Sequence, residues 1–184
     1  MYYSSNKRDP KYFDFYKMNI ATWESEILYQ NDKGLNISSM SEDEVWFAFS
    51  QPITTSENKL FLSNRIDNSK IEISKNPGSY SSSGFSKDNQ YFFFITDVGQ
   101  EFSYLARYEI NTGLQEILFQ TDWDVMYSYL SENEKYRVVA INEDGRNKLY
   151  VKDLPNDKDV YFPDIPDGDI KGVTFSESES KFRL

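Results

Sequence analysis

Carboxylates placed around a tryptophan are the first residues in this sequence that could do chemistry. Asp122 and Asp124 flank Trp123, and Asp167 and Asp169 lie in a second acidic stretch nearer the C-terminus. Carboxylates attract ammonium groups, and an indole ring offers a flat face for stacking. These five residues are therefore candidates for contact with the amino groups of a peptide substrate or with a partner. Solvated loops for the acids and packing for Trp123 are the alternative interpretations.

Two further patterns suggest binding and have simpler explanations. Residues 164–169 superficially resemble a calcium loop, but the stretch lacks the EF-hand spacing and its glutamate at the twelfth position, so no metal site is expected. Arg65 and Arg107 could each clamp a carboxylate through two hydrogen bonds. Pairing of each arginine with a nearby acid on the surface is the alternative.

The composition excludes several classes of function. The 184 residues contain no Cys and no His, which removes thiolate nucleophiles, Ser-His-Asp machinery and the usual zinc ligands. No catalytic residue and no cofactor are expected. A net charge of −10 argues against binding to nucleic acid. The longest apolar run, residues 91–95, is far shorter than the ~18 residues that a membrane helix needs. Residues 1–30 show no signal-peptide pattern and Cys is absent, which together favour the cytoplasm.

An internal repeat dominates the chain. Ser41, Ser86, Ser131 and Ser176 each follow an apolar residue and precede a polar turn, and successive serines are 45 residues apart. Each turn leads into a strand-like apolar run, and two more runs follow. Four short strands in about 45 residues are typical of a β-propeller blade. The sequence therefore predicts an all-β fold, a complete or partial β-propeller of about four blades with four antiparallel strands each.

The repeat also predicts how the chain is divided. Residues 1–184 form one propeller segment, with a partial repeat at 1–36, full repeats at 37–81, 82–126 and 127–171, and a partial repeat at 172–184. A piece of a larger ring is the preferred interpretation. A closed ring of four blades, with residues 170–175 paired to the N-terminal strand, is the alternative. An open ring would expose two apolar blade faces, which predicts self-association.

Several segments resemble the propeller of the prolyl oligopeptidase family of serine peptidases. The serine turns are similar to the family's Ser-Pro-Asp-Gly-Lys turn, without its Pro and Gly. Residues 5–9 (SNKRD) with 13–18 (FDFYKM) resemble a strand–loop–strand segment of the family. Residues 142–146 (NEDGR) with 148–151 (KLYV) resemble a loop of its acylaminoacyl- and dipeptidyl-peptidase-like branch. TolB-like and tricorn-type propellers share the same blade pattern.

The resemblance implies a ring of seven or eight blades beside an α/β-hydrolase domain. The hydrolase's Gly-x-Ser-x-Gly elbow and catalytic His do not occur in this chain. The preferred hypothesis is thus a non-catalytic propeller that gates or positions peptides for a covalently linked hydrolase domain outside this sequence. The alternative is a stand-alone TolB-like propeller that acts as a protein-interaction scaffold. An enzyme in its own right is a weaker third hypothesis, because no recognisable catalytic constellation remains.

Overall fold

The protein, described by a computed structural model for residues 1–162 and 170–184, is built from β-strands. The described residues contain no helix. The first sheet has three strands: β1 (Tyr2–Asp9), β2 (Tyr12–Met18) and β3 (Ser25–Tyr29). The second has four: β4 (Asn36–Met40), β5 (Trp46–Pro52), β6 (Asn58–Asn64) and β7 (Lys70–Glu72). The third has four: β8 (Tyr80–Phe85), β9 (Tyr91–Thr96), β10 (Tyr104–Glu109) and β11 (Gln115–Phe119). The fourth has four: β12 (Val125–Leu130), β13 (Tyr136–Glu143), β14 (Arg146–Asp153) and β15 (Lys158–Asp159). The fifth is a pair, β16 (Thr174–Phe175) and β17 (Phe182–Arg183).

Each sheet is an antiparallel meander in which strands are neighbours in the order of the sequence. This confirms the predicted all-β fold with four-stranded blades. The closed four-bladed ring is not observed, because β16 pairs with β17, Thr174 opposite Arg183 and Phe175 opposite Phe182, instead of with the N-terminal strand. The first strands of consecutive sheets lie side by side. Ser39 on β4 and Ser82 on β8 share a hydrogen bond of 2.6 Å between their hydroxyl oxygens.

A serine hydroxyl closes each turn between the first and second strands of a repeat. In the second sheet, Ser41 Oγ accepts a hydrogen bond from the backbone N–H of Trp46 at 2.8 Å and donates one to Asp43 Oδ1 at 2.6 Å. The hydroxyls of the other three repeat serines accept the same backbone bond, at 2.9, 2.9 and 3.3 Å. The repeated serine is thus explained by turn closure, and Ser41 is almost completely buried while it does this.

The side chain of the last residue of each serine turn forms a hydrogen bond with the preceding repeat. These residues have left-handed backbone, with φ of 61°, 55°, 56° and 51° for Glu44, Asn89, Glu134 and Glu179. Glu44 Oε1 accepts hydrogen bonds from Lys17 Nζ and Tyr2 Oη of the first sheet, both at 2.5 Å. Asn89 Nδ2 donates to Asp43 Oδ2 at 2.6 Å. The side chains of Glu134 and Glu179 accept backbone N–H groups of the preceding turns at 2.6 and 2.5 Å. One side chain per turn therefore ties each repeat to the one before it.

The core lies between the sheets, and inner strands are buried on both faces. On β13, Val139 and Ile141 pack with Ile95 and Leu105 of the third sheet. The alternate residues Val138 and Ala140 pack on the opposite side, with Val173 near the fifth sheet among their contacts. Because successive side chains of a strand point to opposite faces, an uninterrupted apolar run requires a neighbour on each side. Ala48, Leu62, Phe92 and Phe94 form the corresponding cluster between the second and third sheets.

A buried ion pair holds the first sheet together. Asp14 is fully buried on β2, and its carboxylate accepts hydrogen bonds from Arg8 Nε at 2.7 Å and Nη2 at 2.9 Å. The backbone N–H of Asn31 donates to the same carboxylate at 2.8 Å. Arg8 Nη2 also donates to the Asn31 carbonyl and pairs with the exposed Asp32. The SNKRD segment therefore supplies a structural cation, Arg8, from within the bulge between Ser5 and Asp9 of the β1–β2 register.

Asp14→Ala is expected to destabilise the protein by about 2 kcal/mol, because it leaves Arg8 Nε and the Asn31 N–H without their acceptor. Urea unfolding followed by circular dichroism measures the change. Asp32→Ala is the matched control, since that carboxylate is 58% exposed and its pair with Arg8 is screened by solvent. Equal losses in the two variants would show that the buried carboxylate has no special role.

The same carboxylate predicts a loss of stability in acid. Hydrogen bonds from Arg8 and the Asn31 N–H outweigh burial and lower the pKa of Asp14 from 3.8 to about 2. The folded state keeps Asp14 ionised to a lower pH than the unfolded chain does, so its stabilisation is complete above about pH 4 and lost as the pH falls towards 2. Urea midpoints measured at pH 6, 4 and 2.5 should fall less steeply for Asp14→Asn than for the parent. Parallel slopes would contradict this origin.

Candidate functional site

The structure separates the three candidates of the first acidic cluster. They lie in the loop between β11 and β12, where Asp122 and Asp124 are both exposed. Trp123 is 37% exposed, its ring centroid is 6.5 Å from that of Phe102, and its backbone N–H donates to Thr121 Oγ1. Asp124 Oδ1 accepts the backbone N–H of Ser103 at 2.9 Å. Asp124 thus stabilises the β9–β10 loop of the third sheet, whereas Asp122 and the ring of Trp123 remain accessible to a partner.

The remaining sequence candidates have different outcomes. Asp167 and Asp169 lie outside the described residues. Arg65 and Arg107 pair with acids of their own sheets, at 4.0 Å to Glu44 Oε2 and 2.6 Å to Glu116 Oε2, as the simpler interpretation predicted. Among the described residues, no group of His, Cys, Asp and Glu could hold a metal ion. The same residues contain no helix that is long and apolar enough to cross a membrane.

The serine turns carry a charged rim that was not predicted from the sequence. The residue after the serine is Glu42, Lys87 and Glu132 in three consecutive repeats. Lys87 Nζ lies 3.7 Å from Glu42 Oε2 and 3.6 Å from Glu132 Oε1, so one lysine bridges the turns on both sides of its own. Aligning the repeats on their serines would have revealed this alternation of charge. We call Glu42, Lys87 and Glu132 the turn rim.

The turn rim surrounds an open cavity. This cavity has a volume of about 410 Å³, and its walls come from the ends of the first strands and the serine turns, including Met40, Gly84 and Leu130. All three rim side chains are well exposed, at 66%, 43% and 77% in chain order, so their ion pairs are weak and can open. The first strands also carry the exposed polar side chains of Asn36, Ser38 and Ser81. The arrangement offers an open mouth with more acids than bases, which can attract cationic groups.

The two acids beside Trp123 should differ in their contribution to stability. Asp124→Ala removes the acceptor of the Ser103 N–H and is expected to lower the free energy of unfolding by about 1 kcal/mol. Asp122→Ala should leave unfolding unchanged, because Asp122, which is exposed like Asp124, accepts no hydrogen bond from the described residues. Urea unfolding of both variants gives the comparison. A larger loss for Asp122→Ala would overturn the assignment of Asp124 as the structural acid.

Comparison with solved structures finds propellers. TolB from Acinetobacter baumannii matches with a TM-score of 0.66 at 19% identity, over 86% of this chain and 39% of that one. The protein assigned as TolB in Agrobacterium tumefaciens matches with a TM-score of 0.64 at 14% identity, over 90% of this chain and 62% of that one. One of two prolyl endopeptidases studied together matches with a TM-score of 0.65 at 14% identity, over 86% of this chain and 27% of that one.

The chain thus spans about two fifths and three fifths of the two TolB chains, and about a quarter of the endopeptidase. No protein-family model and no curated protein matches the sequence. At these identities the likeness concerns the fold. The chain is a partial β-propeller with the fold of TolB-like and prolyl endopeptidase propellers.

Proposed function

We propose that this chain is a non-catalytic propeller segment that gates peptides on their way to a separate α/β-hydrolase domain of a serine peptidase. The observation that carries the proposal is the polar turn rim, with its cavity of about 410 Å³, on a fold shared with part of a prolyl endopeptidase. The chain has no His, so an acyl-transfer triad has to come from elsewhere.

The proposed mechanism is steric and electrostatic. Extended peptides can pass a mouth whose lining includes small residues such as Ser83 and Gly84, whereas folded proteins are too wide. Glu42 and Glu132 attract cationic peptides, and Lys87 between them prevents the mouth from becoming uniformly acidic. Self-association through the outer faces of the first and fifth sheets belongs to the same proposal for a segment without its full ring.

A second function is favoured by the share of TolB that the chain covers, 62% in one of the two matches. In that case the segment is a protein-interaction scaffold. The reading frame that contains this sequence decides between the two. A hydrolase domain with a Gly-x-Ser-x-Gly elbow supports the peptidase module, and its absence overturns that proposal in favour of the scaffold.

Reversing the charge of Lys87 tests the gate in the intact peptidase. Lys87→Glu makes the turn rim entirely acidic, so kcat/KM for an acidic peptide of about ten residues should fall several-fold, and added salt should restore it. Hydrolysis of a dipeptidyl chromogenic substrate, which needs less of the mouth, should change little.

Lys59→Glu is the matched control for that experiment. Lys59 is similarly exposed and pairs with Glu72 away from the rim, so the substitution changes net charge equally. The same selectivity in both variants would contradict gating at the rim. Turnover of a chromogenic substrate by this chain alone would contradict its non-catalytic role.

A further inference from the structure

One repeat position carries an arginine where the other repeats carry an aromatic ring. The position six residues after each repeat serine is occupied in chain order by Phe47, Phe92, Arg137 and Phe182. Phe47 and Phe92 are 3% and 0% exposed. Phe47 meets Phe15 of the preceding sheet edge-on, with ring centroids 6.2 Å apart. The fold therefore favours an aromatic side chain here, and Arg137 is the exception.

Arg137 is a partly buried cation in the interface between the third and fourth sheets. It lies on the face of β13 whose next members, Val139 and Ile141, pack against the third sheet. Its guanidinium carbon is 4.1 Å from the centroid of the Phe93 ring. Burial lowers the pKa of Arg137 to about 10, and the positive charge of Arg107 acts in the same direction. Both effects disfavour the charged form, so an anion beside Arg137 would stabilise it.

No anion from the described part of the chain fills that role directly. Within residues 1–162 and 170–184, Arg137 forms no ion pair. Glu134 is the carboxylate whose charge favours the guanidinium, and its Oε1 is already the acceptor for the backbone N–H of Lys87 at 2.6 Å. Stacking on Phe93 uses the plane of the guanidinium and leaves its N–H edges available, and those edges bind carboxylates well.

A second guanidinium flanks the same ring. Arg107 on β10 is the register partner of Phe93 on β9, so the two side chains share a face of the third sheet. Its guanidinium carbon is 4.6 Å from the centroid of the Tyr91 ring, and Nη2 is 2.6 Å from Glu116 Oε2. Two stacked arginines, one from each sheet, therefore border one cleft.

The cleft has the size and lining of a small-molecule site. Its volume is about 400 Å³, and Leu118, Leu130 and Leu154 add apolar wall to the two aromatic rings. The charged residues of its lining are balanced, with three cations (Arg107, Arg137, Lys152) and three acids (Asp88, Glu134, Asp157). In a chain of net charge −10 this neutral site tolerates one negative charge, while its acids oppose a second.

We propose that the cleft between the third and fourth sheets binds a small monocarboxylate that carries an apolar group. The carboxylate lies between the N–H edges of Arg137 and the remaining N–H groups of Arg107, whose Nε and Nη2 pair with Glu116. The apolar group lies against Tyr91, Phe93 and Leu118. Specificity for carboxylate over a neutral group comes from the two guanidiniums, and exclusion of dianions comes from the acidic residues around them. This site lies outside the turn rim and does not depend on the proposed function.

Benzoate is the probe, titrated into the isotope-labelled protein and followed by two-dimensional ¹H–¹⁵N spectra. Saturable shifts are expected for residues of β9, β10 and β13, and benzamide, the neutral analogue, should bind at least about tenfold more weakly. Shifts of equal size and affinity with benzamide, or tighter binding of inorganic phosphate than of benzoate, would overturn the proposal.

Arg137→Phe restores the aromatic side chain of the other repeats, so the fold should be retained. Benzoate affinity is expected to fall about tenfold or more in this variant. Arg107→Gln is a second variant that leaves β13 untouched and should weaken binding in the same direction. Arg65→Gln is the control, because Arg65 is outside the cleft, and its affinity should equal that of the parent. Unchanged affinity in both cleft variants would refute the site.

Discussion

The structure depends on one constraint: the inner strands are apolar on both faces, so no sheet can shield itself from water. Val138 and Val139 are adjacent on β13 and buried at 0% and 4% exposure, yet they pack in different clusters on opposite sides of the sheet. Hydrophobic burial alone, however, lets sheets slide over one another, since it is non-directional. Specific polar contacts have to fix how neighbouring sheets align.

The serine turns supply that alignment. A glutamate with left-handed backbone costs on the order of 1 kcal/mol relative to glycine, which tolerates the same φ without strain. Glycine could not take the role of Glu44, Glu134 or Glu179, because it has no side chain to reach the preceding repeat as Glu44 reaches Tyr2 and Lys17. The strain and the hydrogen bond occur at the same residue, which couples the geometry of the turn to the spacing of the sheets. The turn rim lies in these same turns, so the hydrogen bonds between each turn and the preceding repeat also position the charges of the rim.

The features that depend on local periodicity, the number of strands and their grouping into blades, could be predicted from the sequence. Equal spacing of Ser41, Ser86 and the later serines was sufficient for the strand count and the blade, because turn closure depends on residues five positions apart. It could not predict the Asp14–Arg8–Asn31 network, whose members are brought together by a bulge in β1 and by the pairing of β3 with β2. The roles of Asp122 and Asp124 could not be separated either, because the only difference between them is a hydrogen bond to Ser103 in another sheet.

Repeats provide an internal reference against which each departure can be judged by its energetic consequences. Asn89 stands where the other three turns have a glutamate. Its amide still donates a hydrogen bond to Asp43 in the preceding turn at 2.6 Å, so the contact between the repeats is retained. Arg137 replaces an aromatic ring, stacks on Phe93 without an ion pair to any described residue, and brings a charge close to Arg107. Folding alone would favour phenylalanine at that position, as in the neighbouring repeats. A residue that is unfavourable for folding and uncompensated by its neighbours is best explained by something that it binds.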